Sequence, residues 1–208
     1  MHRPPIVAYH VIWGAYGFWL PNDPRGSWST KVWANHLKPF GPATKTDLRT
    51  SLAGRPHDRA KRLEAKRHLK YPAVKLEPRQ VDSVAAGFSE IADRLRLSIH
   101  ACTIMPDHVH LVAGRGGMHA EEMAGHLKRA ASRRLSRDGR HPFERFRKSE
   151  GRMPSPWAIG GWYVYLHTGE EVIQRIRYVE GNPIHAGLPP QRWPFVVPYE
   201  SPPRGRGG

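Results

Sequence analysis

Two groups of residues in this chain are of types that could do chemistry together. The first is His108-Val109-His110, set in an apolar run from Leu97 to Gly114. Alternate residues of a strand share a face and lie roughly 6.5–7 Å apart, so both imidazoles project one way while Val109 and Leu111 turn into a core. That spacing suits two histidines holding one divalent metal ion, although with 13 histidines in the chain a chance His-x-His pair remains an alternative. The second group is Tyr178 and Asn182, four residues apart and so on one face of a helix. If that face covers the strand of the histidines, one helix delivers a phenol and an amide oxygen to the imidazoles. Taken alone, Tyr178 also fits an ordinary amphipathic position.

The elements that must position these groups follow from pattern. Met105-Pro106-Asp107 is a turn signal between the apolar runs 98–105 and 109–113, which predicts two antiparallel strands with the histidines just past the bend. Residues 6–13 predict a first strand. Val81, Val84, Ala85, Phe88, Ile91, Ala92 and Leu95 recur at helical spacing over 77–95, with Pro78 suited to the first turn. A second helix is expected over 120–135, with Glu121 and Glu122 in its first turn as the helix dipole prefers. Residues 160–166 predict the last strand. Thr168 then caps a helix to about Gly181, ended by Pro183, which disfavours helical geometry at Asn182. The order strand, helix, strand, strand, helix, strand, helix predicts a ferredoxin-like α+β fold. Its antiparallel sheet would carry helices on one face, with a C-terminal helix and a basic insertion after the first strand. One domain is expected over 1–198, with residues 21–74 as the insertion and 199–208 as a disordered tail.

Charge separates the classes of partner. Of the formal +15, residues 21–72 carry +8 (12 basic, 4 acidic) and residues 115–152 carry +6 (11 basic, 5 acidic). Positive charge concentrated in two blocks beside a candidate metal site points to a polyanion, most simply nucleic acid. Candidate phosphate contacts are Lys128, Arg129, Arg133 and Arg134 on the 120–135 helix, which would begin beside the metal site. In the insertion, helical from about Asp58 to Lys70, they are Arg55, Arg59, Lys61, Arg62, Lys66 and Arg67. Solvated helix faces, and a solvated lid for the insertion, are the competing readings. The aromatic loop 14–28 is expected to pack its own rings rather than stack on unpaired bases. The single cysteine, Cys102, excludes an intramolecular disulfide and suits a small core position. No apolar run approaches the roughly 18 residues of a membrane span, and the N-terminal residues lack a secretory pattern, so a cytoplasmic protein is expected.

Two strings add a resemblance to these readings. Met105-Pro-Asp-His-Val-His-Leu-Val112 resembles the His-hydrophobic-His motif of the single-tyrosine HUH transposases, in particular the REP-associated tyrosine transposases. Tyr178-Val-Glu-Gly-Asn-Pro183, followed by Ile184-His-Ala-Gly-Leu188, resembles the segment of that family that carries the nucleophilic tyrosine. The likeness spans residues 77–195 and the first strand and fades over 21–72. It implies Tyr178 as nucleophile and His108, His110 and Asn182 as ligands of Mg²⁺ or Mn²⁺, the hard ions that an oxygen-rich shell without thiolates suits. The implied substrate is single-stranded DNA near a hairpin, cut and rejoined through a 5′-phosphotyrosine bond. A phenol with an ordinary pKa near about 10 needs help to attack at neutral pH, and Asp107 and Glu180 are candidate bases by position only. A homodimer is an open arrangement, since some relatives pair two subunits to build each site. Two other functions remain open: a basic DNA-binding module with structural histidines and an idle tyrosine, and a metal-dependent nuclease that uses water.

Overall fold

A computed structural model describes residues 5–23, 32, 34–43 and 58–200. Four strands form one antiparallel sheet: β1 (Ala8–Gly14), β2 (Ile99–Ile104), β3 (His108–Gly114) and β4 (Trp162–Leu166), in the spatial order β2-β3-β1-β4. With α2 (Pro78–Leu95) and α3 (Ala120–Arg137) as the crossovers, this is the ferredoxin-like arrangement that the order of patterns implies. A short helix in the insertion, α1 (Arg59–Arg67), and a C-terminal helix, α4 (Gly169–His185), complete it.

Among the described residues, three of the four α-helices start where a side chain supplies a cap, while α3 begins after His119 without one. Asp58 accepts from the Lys61 amide at 3.0 Å, Glu77 and Gln80 form a capping box before Pro78, and Thr168 Oγ1 accepts from the Glu171 amide at 3.1 Å. α2 and α3 approach so closely that a Cβ at Gly87 would stand 2.9 Å from the Ala130 carbonyl oxygen, so a glycine sets their separation. Both lie on one face of the sheet, where Trp13, Val11, Val109 and Leu111 meet Phe88, Ile91, Met123 and Leu127. Cys102 is buried and unpaired, and burial pushes its thiol up.

α4 covers the other face, with Val172 and Val179 against Ala8, Ala101, Val112 and Leu166. It also overruns its expected end, because Pro183 lies inside the helix, which continues to His185. Proline has no N–H for the carbonyl four residues earlier, which here belongs to Val179. The buried hydroxyl of Thr103 on β2 donates to that carbonyl at 2.8 Å, so the sheet replaces the missing bond and the helix need not stop. In the insertion, Leu20, Leu37 and Ala65 form a small core of their own. Arg55 and residues 201–208 of the expected tail lie outside the described residues.

Candidate active site

The register of the strands assembles the site. Gly14 pairs with His108, Ile12 with His110 and His10 with Val112, so His10, His108 and His110 all project toward α4. The rings of His108 and His110 lie 4.8 Å apart at 75°, and the Tyr178 ring stands edge-on to His110 at 5.8 Å. It stands edge-on to His10 at the same 5.8 Å. Tyr178 is 47 % exposed, whereas His110 is 5 % and His10 1 % exposed. The Arg175 guanidinium lies 5.9 Å from the Tyr178 ring, one turn back on α4.

Both candidate ligand histidines have Nδ1 engaged. His108 donates from Nδ1 to Asp107 Oδ1 at 2.7 Å, and its ring stacks on Phe18 at 4.9 Å. His110 Nδ1 lies 3.3 Å from Nε2 of His10, with the two rings nearly parallel. Burial, and then the neighbouring His108 and His10, hold His110 well below the usual imidazole range. Burial and then Arg175 lower His10 to about 3. A neutral imidazole that donates its Nδ1 proton keeps Nε2 for a ligand.

Asn182 sits one turn beyond Tyr178, and its amide Nδ2 donates to the Tyr178 carbonyl at 3.0 Å, while its Oδ1 has no hydrogen bond among the described residues. Among the described residues no three His, Cys, Asp or Glu side chains converge as a metal site. Two neutral imidazoles and an amide oxygen form a donor set that fits a hard divalent ion. Of the two candidate bases, Asp107 is engaged with His108, and Glu180 is exposed on α4.

The expected phosphate contacts divide. α3 does not begin beside the histidines: it follows β3 at Gly114, the far end from His108, and packs on the opposite face of the sheet. Lys128 is turned inward, its ammonium donating to the carbonyls of Ala158, at 3.0 Å, and Gly160. Arg134 is bound to Asp138 and Glu90, with Arg137 also on Glu90. These internal partners correct the expectation that Lys128 and Arg134 present free cations. Arg129 and Arg133 are exposed, as is Arg59 on α1, while Arg62 is half-buried.

In the aromatic loop, Tyr16 packs on Tyr71 and Phe143, and Phe18 packs on Trp19 and His108. The loop also walls a cleft of about 540 Å³ lined by Trp19, Leu37, Trp157, Gly160 and Trp162 among others. Trp162 pairs with Ile12, which in turn pairs with His110, and none of the site histidines lines this cleft. His10 escapes a reading of sequence because the register that brings β1 beside β3 is not encoded locally. Its one signal is a polar residue within the otherwise apolar run from Ile6 to Trp13.

Residues 68–182, more than half of the chain, match the family model described as "Transposase IS200 like". The chain belongs to the IS200-like transposase family, and the matched segment contains His108, His110, Tyr178 and Asn182. Among solved structures it is similar to a REP-associated tyrosine transposase bound to a REP hairpin, with 8 % identity, a TM-score of 0.48 and coverage of 91 % of this chain and 74 % of that one. It is also similar to a candidate transposase from Deinococcus radiodurans R1, with 15 % identity, a TM-score of 0.38 and coverage of 87 % and 94 %. No curated protein matches the chain. Among the described residues no helix is long and apolar enough to cross a membrane.

Proposed function

We propose that the protein nicks and rejoins single-stranded DNA beside hairpin-forming repeats, with Tyr178 as nucleophile, as a transposase of the REP-associated type. The observation that carries this reading is the Tyr178 ring placed 5.8 Å from His110, on a helix that covers the chain's own sheet. His108, His110 and Oδ1 of Asn182 would hold Mg²⁺ or Mn²⁺, which when bound neutralises a phosphate and polarises its phosphorus. The phenol oxygen of Tyr178 attacks phosphorus as its proton passes to water on the exposed side of the ring, and the bond to the 3′ oxygen breaks, that oxygen taking a proton from water. The product is a 5′-phosphotyrosine and a free 3′-OH. Attack by another 3′-OH reverses the step and joins strands without an external energy source.

Specific features support the substrate. Arg59, Arg129 and Arg133 are exposed cations suited to a phosphate backbone. The cleft walled by the aromatic loop holds Trp19 and Trp162, whose rings suit stacking on unpaired bases, and a duplex presents no such free faces. The test is a denaturing gel of labelled single-stranded DNA carrying a hairpin, incubated with the protein and Mg²⁺ or Mn²⁺. A covalent adduct that disappears in Tyr178→Phe, and in a chain with both His108→Ala and His110→Ala, is expected. Cleavage that persists in Tyr178→Phe would replace this reading with a water-using nuclease. Binding without cleavage on several hairpins would replace it with a DNA-binding module.

A further inference from the structure

The two histidines of the His-x-His pair are held in parallel ways by different partners. His108 gives its Nδ1 proton to a carboxylate, an arrangement that orients the ring and leaves Nε2 free. His110 has no carboxylate within reach of Nδ1; what stands there is Nε2 of His10, at 3.3 Å. Only one proton fits between those two nitrogens, and its position decides what His110 can do. If His10 donates, His110 carries its own proton on Nε2 and has no lone pair to offer outward. If His110 donates, its Nε2 is free and the remaining proton of His10 sits on Nδ1.

In either arrangement Nδ1 of His10 is buried with no hydrogen-bond partner among the described residues. A buried polar atom without a partner is destabilising. The surroundings do not need it, because the neighbours on this face are Ala8, Ala101, Val112, Leu166, Val172 and Val179, among which an apolar side chain would bury without penalty. A histidine that is 1 % exposed in such company calls for a reason beyond packing. The reason available is its Nε2, the one atom that touches His110.

We propose that His10 is a positioning residue of the transposase site, accepting the Nδ1 proton of His110 so that His110 keeps its Nε2 lone pair for a divalent metal ion. The inference rests on the metal-dependent reading above. His10 contacts neither the ion nor the DNA; it acts through His110, as Asp107 acts through His108. Its edge contact with the Tyr178 ring at 5.8 Å gives the same residue a second hold on the geometry of the site.

Two measurements on the full-length protein test this. Long-range ¹H–¹⁵N spectra of the unaltered, metal-free chain report which ring nitrogen of His110 is protonated, and Nδ1 is expected. Titration with Mn²⁺ alone, followed by electron paramagnetic resonance, then compares His10→Leu and His10→Gln with the parent. Loss of an orienting partner typically lowers metal affinity 10–100-fold, the effect expected for His10→Leu. His10→Gln, whose amide oxygen can accept the same proton, is expected to recover most of the affinity. A proton on Nε2 of His110, or a His10→Leu chain that binds Mn²⁺ as tightly as the parent, overturns the inference while leaving the proposed function standing. A parent chain that binds no Mn²⁺ overturns both.

Discussion

One face of the sheet carries Val11, Trp13, Val109 and Leu111 toward α2 and α3; the other carries His10, Ile12, His108 and His110 toward α4. The strands are the same, and alternation alone sends their residues to opposite sides. The first face is closed by large groups such as Phe88, Met123 and Leu127, all buried. The second is covered by one helix that buries only Val172, Val179 and Pro183, over small residues such as Ala8 and Ala101. Apolar burial on the first side supplies stability that the second side does not need to supply. The second holds three histidines where the first holds apolar and aromatic side chains, and a buried ring nitrogen without a partner occurs on both, at His10 Nδ1 and Trp13 Nε1. The proposed chemistry falls on the thinly covered face, the one that leaves Tyr178 open to solvent.

The largest effect expected from this contrast is on stability. Phe88→Ala on the packed face should lower the free energy of unfolding by about 3–5 kcal/mol. Tyr178→Phe should leave it nearly unchanged, because the ring is 47 % exposed and its hydroxyl has no hydrogen bond among the described residues. Urea unfolding of both variants checks the pair. Comparable losses would mean that α4 carries the fold as much as the core does, and the contrast between the faces would break.

Lys128 sharpens the contrast from the other direction, as a cation inside the packed side. Its ammonium stands 5.9 Å from the Trp13 ring and donates to two backbone carbonyls, and burial lowers it from the usual 10.5 to about 8. Below pH 8 both folded and unfolded chains hold the proton, and the folded state bears the full penalty. Between about 8 and 10.5 the folded chain releases the proton while the unfolded chain keeps it. Stability relative to Lys128→Met should therefore rise with pH across that interval, by about 1.4 kcal/mol per unit at most. A flat difference from pH 7 to 10.5 would show that the ammonium stays hydrated and that Ala158 and Gly160 are not held by it.

The order of elements and the sharing of a face by His108 and His110 were legible in sequence, because periodicity and turn chemistry are local. What was not legible depends on which strands meet. His10 joins the site only through the β1 to β3 register, and α3 lies behind the sheet because β3 leaves the histidine end before turning into it. Arg134 and Lys128 look like solvated cations along the chain. Their partners Glu90, Ala158 and Gly160 come from other parts of the chain and the tertiary fold selects them, whereas Asp138, four residues on from Arg134, is a local partner.

Pro183 is the case where a correct local rule gave the wrong boundary, and the same place yields the smallest and most specific test. The carbonyl of Val179 depends on Thr103 Oγ1 because position 183 has no N–H to give. Thr103 pairs across the sheet with His110, so this bond fixes α4 directly beside the site. Thr103→Val keeps the shape but strands a carbonyl, and should cost about 1–3 kcal/mol of stability. It should also reduce adduct formation, since Tyr178 shares the helix turn that is released. Pro183→Ala restores an N–H to the helix and should be close to neutral by itself. Combined with Thr103→Val, it should recover most of the lost stability, giving a coupling of about 1 kcal/mol or more in a double-mutant cycle. Strict additivity would show that Thr103 does not stand in for the missing amide. Recovery of stability without recovery of adduct would separate the two roles of the bond: satisfying a helix carbonyl, and holding that helix against the strand that bears the histidines.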